Sequence, residues 1–338
     1  MNAALKVLSP GLRTTIQDGG RRGYRRFGVP VSGALDRDGL ALANALVGND
    51  PATAGIEVLV LGPTLELLGE GARIAAVGAH LVIGERPLPA GQSGRLVRGS
   101  RLLVKPDGGL VSYLAVEGGF DLPPVLGSLS TYAQGGFGGL DGRALAEGDL
   151  LPLRGENAPE RPEKRLAAEH ETHAGQPIRV VLGPQDDYFS EAAIDTFLSA
   201  TYRISPQADR MGFRLDGPKL EHSKGSNIVS DGTVEGSVQV PGSGLPIVLL
   251  ADAQTTGGYP KIATVISADV PLLARRPPGS TVRFAAVSQQ HAEAIRREHA
   301  ASLAAAIAAI RPLTAAPVPA GEALYSANLV SGVASALD

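Results

Sequence analysis

Forty-three glycines and 25 prolines against an aromatic content of 4% constrain this chain more than any other feature of its sequence. Glycine supplies positive-φ positions without steric cost and proline presets φ in turns, so the pattern predicts many short strands joined by tight turns rather than long helices. At 338 residues the chain exceeds what one hydrophobic core usually serves, which points to two domains of roughly 150 residues each. Hydrophobic residues at 43% and charged residues at 19% are the balance of a chain that folds.

Short β-branched or Leu-rich runs at 56–61, 73–77, 81–83, 101–104 and 111–116 alternate with Gly and Pro and read as strands of a first β domain over 1–153. One helix is expected there, from Asp36 to Val47, with Leu40, Ala43, Leu46 and Val47 on one face and Gly48 as its stop. Residues 154–176 are rich in Pro, Glu, His and Ala, have few large apolar side chains, and read as a linker. Strand candidates at 178–182, 237–240, 247–251, 264–267 and 281–287, with an amphipathic helix near 188–198, make a second β domain over 177–288. An Ala-rich helix is expected over 289–311, ended by Pro312. Residues 312–338 read as a tail, either partly disordered or docked on a neighbour. The fold class is mainly β with some α.

A formal net charge of -3 and the lack of any Lys/Arg cluster interleaved with aromatics argue against nucleic acid as a partner. The absence of cysteine removes disulfides, thiolate nucleophiles and Cys-ligated zinc. No apolar leader follows Met1, and the longest apolar run, 245–251, is too short to span a bilayer, so a cytoplasmic location with no membrane contact is expected. Neither a P-loop, nor G-x-S-x-G, nor H-E-x-x-H occurs. His170 and His173 stand in the polar linker and read as solvated, so no metal is expected. The two methionines, Met1 and Met211, do not flank a lysine, which argues against covalent biotin on this chain.

Four polar, Gly-rich clusters remain. In the first, residues 11–24, backbone freedom, Arg13, Gln17 and Asp18 come together, as in a ligand loop or a mobile surface turn. The second, residues 28–36, leads into the helix, where Ser32 and Asp36 are either caps or functional groups. The third, residues 205–214, sets Asp209 beside Arg210 and Arg214, suited to an anionic ligand or to a structural ion pair. The fourth carries most weight: from 235–241, which includes Gln239, an apolar strand runs into Asp252, Gln254, Thr255, Thr256, Gly257, Gly258, Tyr259 and Lys261. A turn needs far fewer hydrogen-bonding groups than that, and loops on rigid strands are where sites are built.

The segments TTIQDGGRRGYRRFGVPVSGALD, SYLAVEGGFDLPPVLGSLSTYAQGGFGGLDGR, ADRMGFRLDG and EGSVQVPGSGLPIVLLADAQTTGGYPKIATV resemble, in this order, the biotin-dependent-carboxyltransferase-like family. That family holds the C-type subunit of bacterial 5-oxoprolinase, the KipI antagonist, allophanate hydrolase subunit 2 and the second half of the carboxyltransferase domain of urea carboxylase. The resemblance covers roughly 5–287. It implies two cyclophilin-like β-barrel domains, a KipI-like B-type partner together with a LamB/YcsF-like A-type partner, and ATP-dependent opening of 5-oxo-L-proline to L-glutamate by the complex. ATP enters only through the resemblance.

Two rival functions are a carboxyltransferase-like subunit of a biotin-dependent urea or amide carboxylase, and a regulatory protein that binds and antagonises a KipI-type partner. In each enzymatic reading the carbonyl oxygen of a small planar amide gains negative charge, which preorganised donors stabilise. By residue chemistry, Lys261, Tyr259 and the N–H groups of Gly257 and Gly258 are the expected donors, with Asp252 and Gln254 orienting the amide N–H. Arg13, Gln17, Asp18, Asp209, Arg210, Gln239 and Thr255 are expected to bind the rest of the substrate.

Overall fold

A computed structural model of the protein describes residues 3–155, 157–167 and 175–313. The tail from 314 onward, together with His170 and His173, lies outside the described residues. The fold is mainly β. In the first half, one antiparallel sheet runs in the order Leu150–Pro152, Ala4–Ser9, Thr64–Leu68, Arg101–Pro106, Ala79–Ile83, Arg86–Leu88. A second runs Thr15–Gln17, Gly55–Leu59, Val111–Val116, Gly71–Val77, Ser93–Val97. Leu5, Val7, Leu65, Leu67, Ile56, Val58, Ile74 and Leu114 alternate inward along these strands and form one apolar cluster with no exposure to speak of.

The second half is an eight-stranded sheet: Thr281–Val282, Tyr202–Ile204, Gly212–Asp216, Ile247–Leu249, Ser237–Gln239, Lys261–Val265, Ile178–Leu182, Phe284–Ala286. Its two edges are consecutive in sequence. Thr281–Val282 pairs antiparallel with Tyr202–Ile204, and Phe284–Ala286 pairs parallel with Ile178–Leu182. Only Arg283 separates the two edge strands, which brings the edges together and nearly closes the sheet into a barrel.

Helix α1, Arg37–Val47, holds the halves together. Asp36 caps it by accepting from the Asp38 and Gly39 amides at 3.1 and 3.0 Å, and Gly48 ends it at φ 84°, a left-handed C-cap. Leu40, Leu42, Ala43, Leu46 and Val47 are all buried because α1 has neighbours on nearly every side. The apolar cluster around it runs from Ala75 and Tyr113 of the first half to Val238, Val248 and Leu273 of the second. The two large apolar clusters therefore do not divide at residues 154–176. At about 1.5–3 kcal/mol for each fully buried Leu or Val side chain, burial of α1 couples the stability of both halves.

Residues 157–167 are anchored by ions as well as by the buried Ala158 and by Leu166 packed on the core. Buried Arg73 donates from Nε to Glu163 at 3.0 Å, from Nη1 to Glu117 at 2.7 Å and from Nη2 to the Pro159 carbonyl at 3.0 Å. Lys164–Arg165 then pairs with Arg311–Pro312, just beyond the Ala-rich helix. Helix α2 is Glu191–Ser199, capped by Ser190; α3 is Val270–Ala274; α4 is Gln289–Ala308, capped by Ser288. Among the described residues no helix is long and apolar enough to cross a membrane.

Candidate functional site

The seam between the halves holds a buried network of charges. Glu57 sits in the apolar strand Gly55–Leu59 and is fully buried. Because side chains alternate across a strand, it points away from the apolar interior of the first half, filled by Ile56 and Val58. Tyr113, its direct cross-strand partner, donates its hydroxyl to Glu57 Oε2 at 2.6 Å, and the Leu35 amide donates to the same oxygen at 2.9 Å. The Asp36 amide donates to the Tyr113 hydroxyl oxygen at 2.8 Å. Burial first, and then Glu57, raise the Tyr113 hydroxyl well above its ordinary pKa, which keeps it a donor.

Arg210 comes from the second half and completes this network. Its Nη1 donates to Glu57 Oε1, its Nε to Asp252 Oδ2 at 2.8 Å, and its Nη2 to Asp252 Oδ1 at 3.1 Å and to the Gly33 carbonyl at 2.7 Å. Burial alone would lower its pKa, but Glu57 and Asp252 outweigh that and raise it. Asp209 holds the turn in place by accepting from the Met211 and Gly212 amides at 2.8 and 3.2 Å. Asp18 is engaged in the same way: its carboxylate accepts from the Gly20 amide, both Ser128 and Ser130 hydroxyls and the Leu129 amide, at 2.5 to 2.8 Å.

Arg21 lies beside this network at 1% exposure. Its Nη2 donates to the Ser130 carbonyl, and its guanidinium carbon stands 4.9 Å from the centroid of the Phe137 ring. Its Nε and Nη1 have no hydrogen-bond partner among the described residues. Burial lowers its pKa, only partly countered by Asp18 and Asp252, yet a guanidinium keeps its charge. Two further buried groups are unpartnered nearby. Gln17 donates from Nε2 to the Thr131 carbonyl at 3.1 Å but leaves Oε1 free, and Ser32, at φ 53°, leaves Oγ free.

The expected catalytic residues fall into two groups. Asp252 belongs to the seam. Lys261, 2% exposed, donates from Nζ to Asp231 Oδ2 at 2.9 Å, while its amide donates to Gln185 Oε1 at 3.2 Å. Gln254 donates to Gln239 Oε1 at 3.2 Å, and Gln239 lies opposite Lys261 in the barrel. Gly257 packs on Gln239 so closely that a Cβ would come within 2.4 Å of its amide nitrogen. Thr255 accepts from the Thr233 amide at 3.1 Å, Gly258 accepts from the Ile228 amide at 2.8 Å, and Tyr259 is 42% exposed. Arg13 is exposed at φ 50°. Sequence reasoning missed Glu57, Tyr113, Arg21 and Asp231; only Glu57, a lone acid in an apolar run, carried a visible signal.

A cavity of about 610 Å³ lined by Asp107, Leu272, Arg275, Arg276 and Thr281 contains none of the expected site residues. No group of three or more metal-ligating side chains occurs among the described residues.

Residues 27–286 match the family model described as carboxyltransferase domain, subdomain A and B. The C-type subunit of 5-oxoprolinase from Escherichia coli strain K12 is 39% identical over 87% of this chain and 94% of its own length. Its namesake from Haemophilus influenzae is 37% identical over 87% and 95%. The solved structure of Kluyveromyces lactis urea amidolyase superposes with a TM-score of 0.80 at 29% identity, over 89% of this chain. The chain spans only 20% of that protein's length, and 56% of a further solved chain matched at 36% identity.

Proposed function

The chain belongs to the carboxyltransferase domain, subdomain A and B family, and from that premise we propose that it is the C-type subunit of a complex that opens 5-oxo-L-proline to L-glutamate with ATP. One observation carries this reading: the free-standing C-type 5-oxoprolinase subunit of Escherichia coli is matched over 94% of its length. A B-type subunit resembling KipI and a LamB/YcsF-like A-type subunit are its partners in this reading, and a cytoplasmic location follows from it. The two β-rich halves are cyclophilin-like domains in this reading, joined through α1.

In chemical terms, the lactam carbonyl gains negative charge when attacked, and the buried Lys261 ammonium with the Gly257 and Gly258 amides supplies donors. Gln254 and Asp252 face the lactam N–H. ATP is used by the assembled complex in this reading.

Co-purification with the proteins encoded beside it, followed by ATP-dependent glutamate release from 5-oxoproline, tests the reading. The expected outcome is turnover by the assembled complex and none by this chain alone. Robust turnover by the chain alone, or none by any assembly, defeats it. The likeness to urea amidolyase supports the second reading, a carboxyltransferase-like subunit, which predicts instead dependence on a biotinylated protein and on urea or a related amide.

A further inference from the structure

We infer that Arg21 is the receptor for a carboxylate on the substrate, a subsite distinct from the amide-facing residues around Lys261. The inference rests on the lactam reading for the identity of the ligand, and on Arg21 itself for its charge. Buried arginines are ordinarily matched by carboxylates. Arg210 has two within hydrogen-bonding distance, Arg73 has two and Arg275 has Asp36. Arg21 is as deeply buried as any of them and makes a hydrogen bond only to one carbonyl, Ser130 O. Asp18, its nearest acid in sequence, is saturated by four donors of the 128–130 segment and Gly20. Desolvating a guanidinium while leaving Nε and Nη1 without acceptors is costly unless an anion meets it in the working state.

The surroundings favour one small monoanion. Glu57, Asp252 and Arg210 sum to one negative charge, Asp18 adds another and Arg21 cancels one, so a carboxylate meets about half the net repulsion that a phosphate dianion would. Two further unpartnered polar atoms come from the same stretch of chain. Ser32 stands across from Gly20 and Arg21, whose amide donates to the Val31 carbonyl at 2.8 Å, and the Gln17 amide reaches the Thr131 carbonyl next to Ser130. Of the two, only the Ser32 hydroxyl can donate to a carboxylate, since Gln17 Oε1 is an acceptor. Phe137 forms the wall on which the guanidinium rests. Gly138, with φ 76°, lies so close that a Cβ would meet Arg21 Nη2 at 2.8 Å.

Calorimetric titration of the full chain with sodium 5-oxoprolinate, with 2-pyrrolidinone, which is the same lactam without a carboxylate, and with sodium propionate tests the assignment. Wild-type protein is expected to bind 5-oxoprolinate at least about tenfold more tightly than 2-pyrrolidinone. Arg21→Gln is expected to erase that preference while leaving 2-pyrrolidinone unchanged. Arg21→Lys, which keeps the charge and folds where the neutral variant fails to, is expected to restore part of it. Equal binding of 5-oxoprolinate by wild type and both variants overturns the assignment and leaves the lactam reading standing. Propionate binding that depends on Arg21, without affinity for either lactam, upholds the subsite and overturns the lactam reading. No binding of any carboxylate by the wild-type chain overturns the subsite.

Discussion

Arg275 holds Asp36 with two hydrogen bonds, Nε to Oδ2 at 2.6 Å and Nη2 to Oδ1 at 2.9 Å, across 239 residues of sequence. The same carboxylate caps α1, so one side chain both starts a helix of the first half and receives a cation of the second. Asp36→Ala removes the cap and leaves buried Arg275 with only the more distant Asp38, at 3.8 Å. A loss of about 3–5 kcal/mol is expected, in a single denaturant transition because α1 links both halves. Asp36→Asn keeps the capping oxygen and should lose less, by the cap's share of about 1 kcal/mol. Two well-separated transitions in the wild-type melt would show that the seam does not couple the halves.

The seam and the Lys261 group should respond differently to truncation. Asp252→Ala deprives Arg210 of one of its two carboxylates, and its expected signature is a lower melting temperature, with activity falling in the reconstituted complex. Lys261→Met leaves Asp231, whose side chain is about half exposed, able to solvate itself, so stability should change by less than about 1 kcal/mol. Glutamate release should nonetheless fall about tenfold or more if Lys261 meets the lactam oxygen. Normal turnover by Lys261→Met would remove it from the site.

Asp38 gives a pH dependence of known sign. Burial first, then Asp36, raise its carboxyl above the ordinary 3.8, against His299 at 3.0 Å and Arg275. A raised native pKa means the folded state holds the proton more tightly. The stability it contributes is full below the ordinary value and is lost as pH climbs through the raised one. Asp38→Asn has no such proton to lose. Its stability relative to wild type should therefore improve as pH climbs from about 4 through the raised value and level off above it, measured by urea unfolding at each pH. A relative stability that is flat or worsens over that range contradicts the burial account.

Two glycines of one loop separate steric from conformational cost. Gly136 and Gly138 both have positive φ, at 66° and 76°, but a Cβ on Gly136 meets nothing within 4 Å while one on Gly138 meets the Ser130 carbonyl at 2.0 Å. Gly136→Ala should cost about 1–2 kcal/mol, the penalty for a left-handed alanine. Gly138→Ala should cost that and about 1–3 kcal/mol more for overpacking, and it should displace the carbonyl that holds Arg21. Equal losses in thermal unfolding would show that the loop shifts without strain.

Local signals were legible and long-range ones were not. Asp36 and Gly48 delimit α1 as read, because capping and left-handed termination are written in adjacent residues. The strands at 73–77, 101–104 and 111–116 stand where β-branched runs placed them. Ala4–Ser9 and Thr64–Leu68 were missed, since each alternates inward and outward with few β-branched residues. Residues 154–167 read as unanchored because their ionic anchor, Arg73 to Glu163, is 90 residues away in sequence. The family resemblance in four ordered segments agrees with the matched family model. Arg21 looks no different from Arg22, Arg25 or Arg26 in the chain; only the fold buries it while leaving Arg22 and Arg26 exposed.

The barrel whose two edges meet at Arg283 also sets an order of events during synthesis. The strand Ile178–Leu182 leaves the ribosome about a hundred residues before its parallel neighbour Phe284–Ala286 exists. Until then one side of the nascent sheet presents an open edge, of the kind that pairs with other chains. The first half closes its own apolar interior early, although α1 and Glu57 wait for the second half to cover them. Early termination anywhere between 183 and 283 should therefore yield chains that aggregate through the second half.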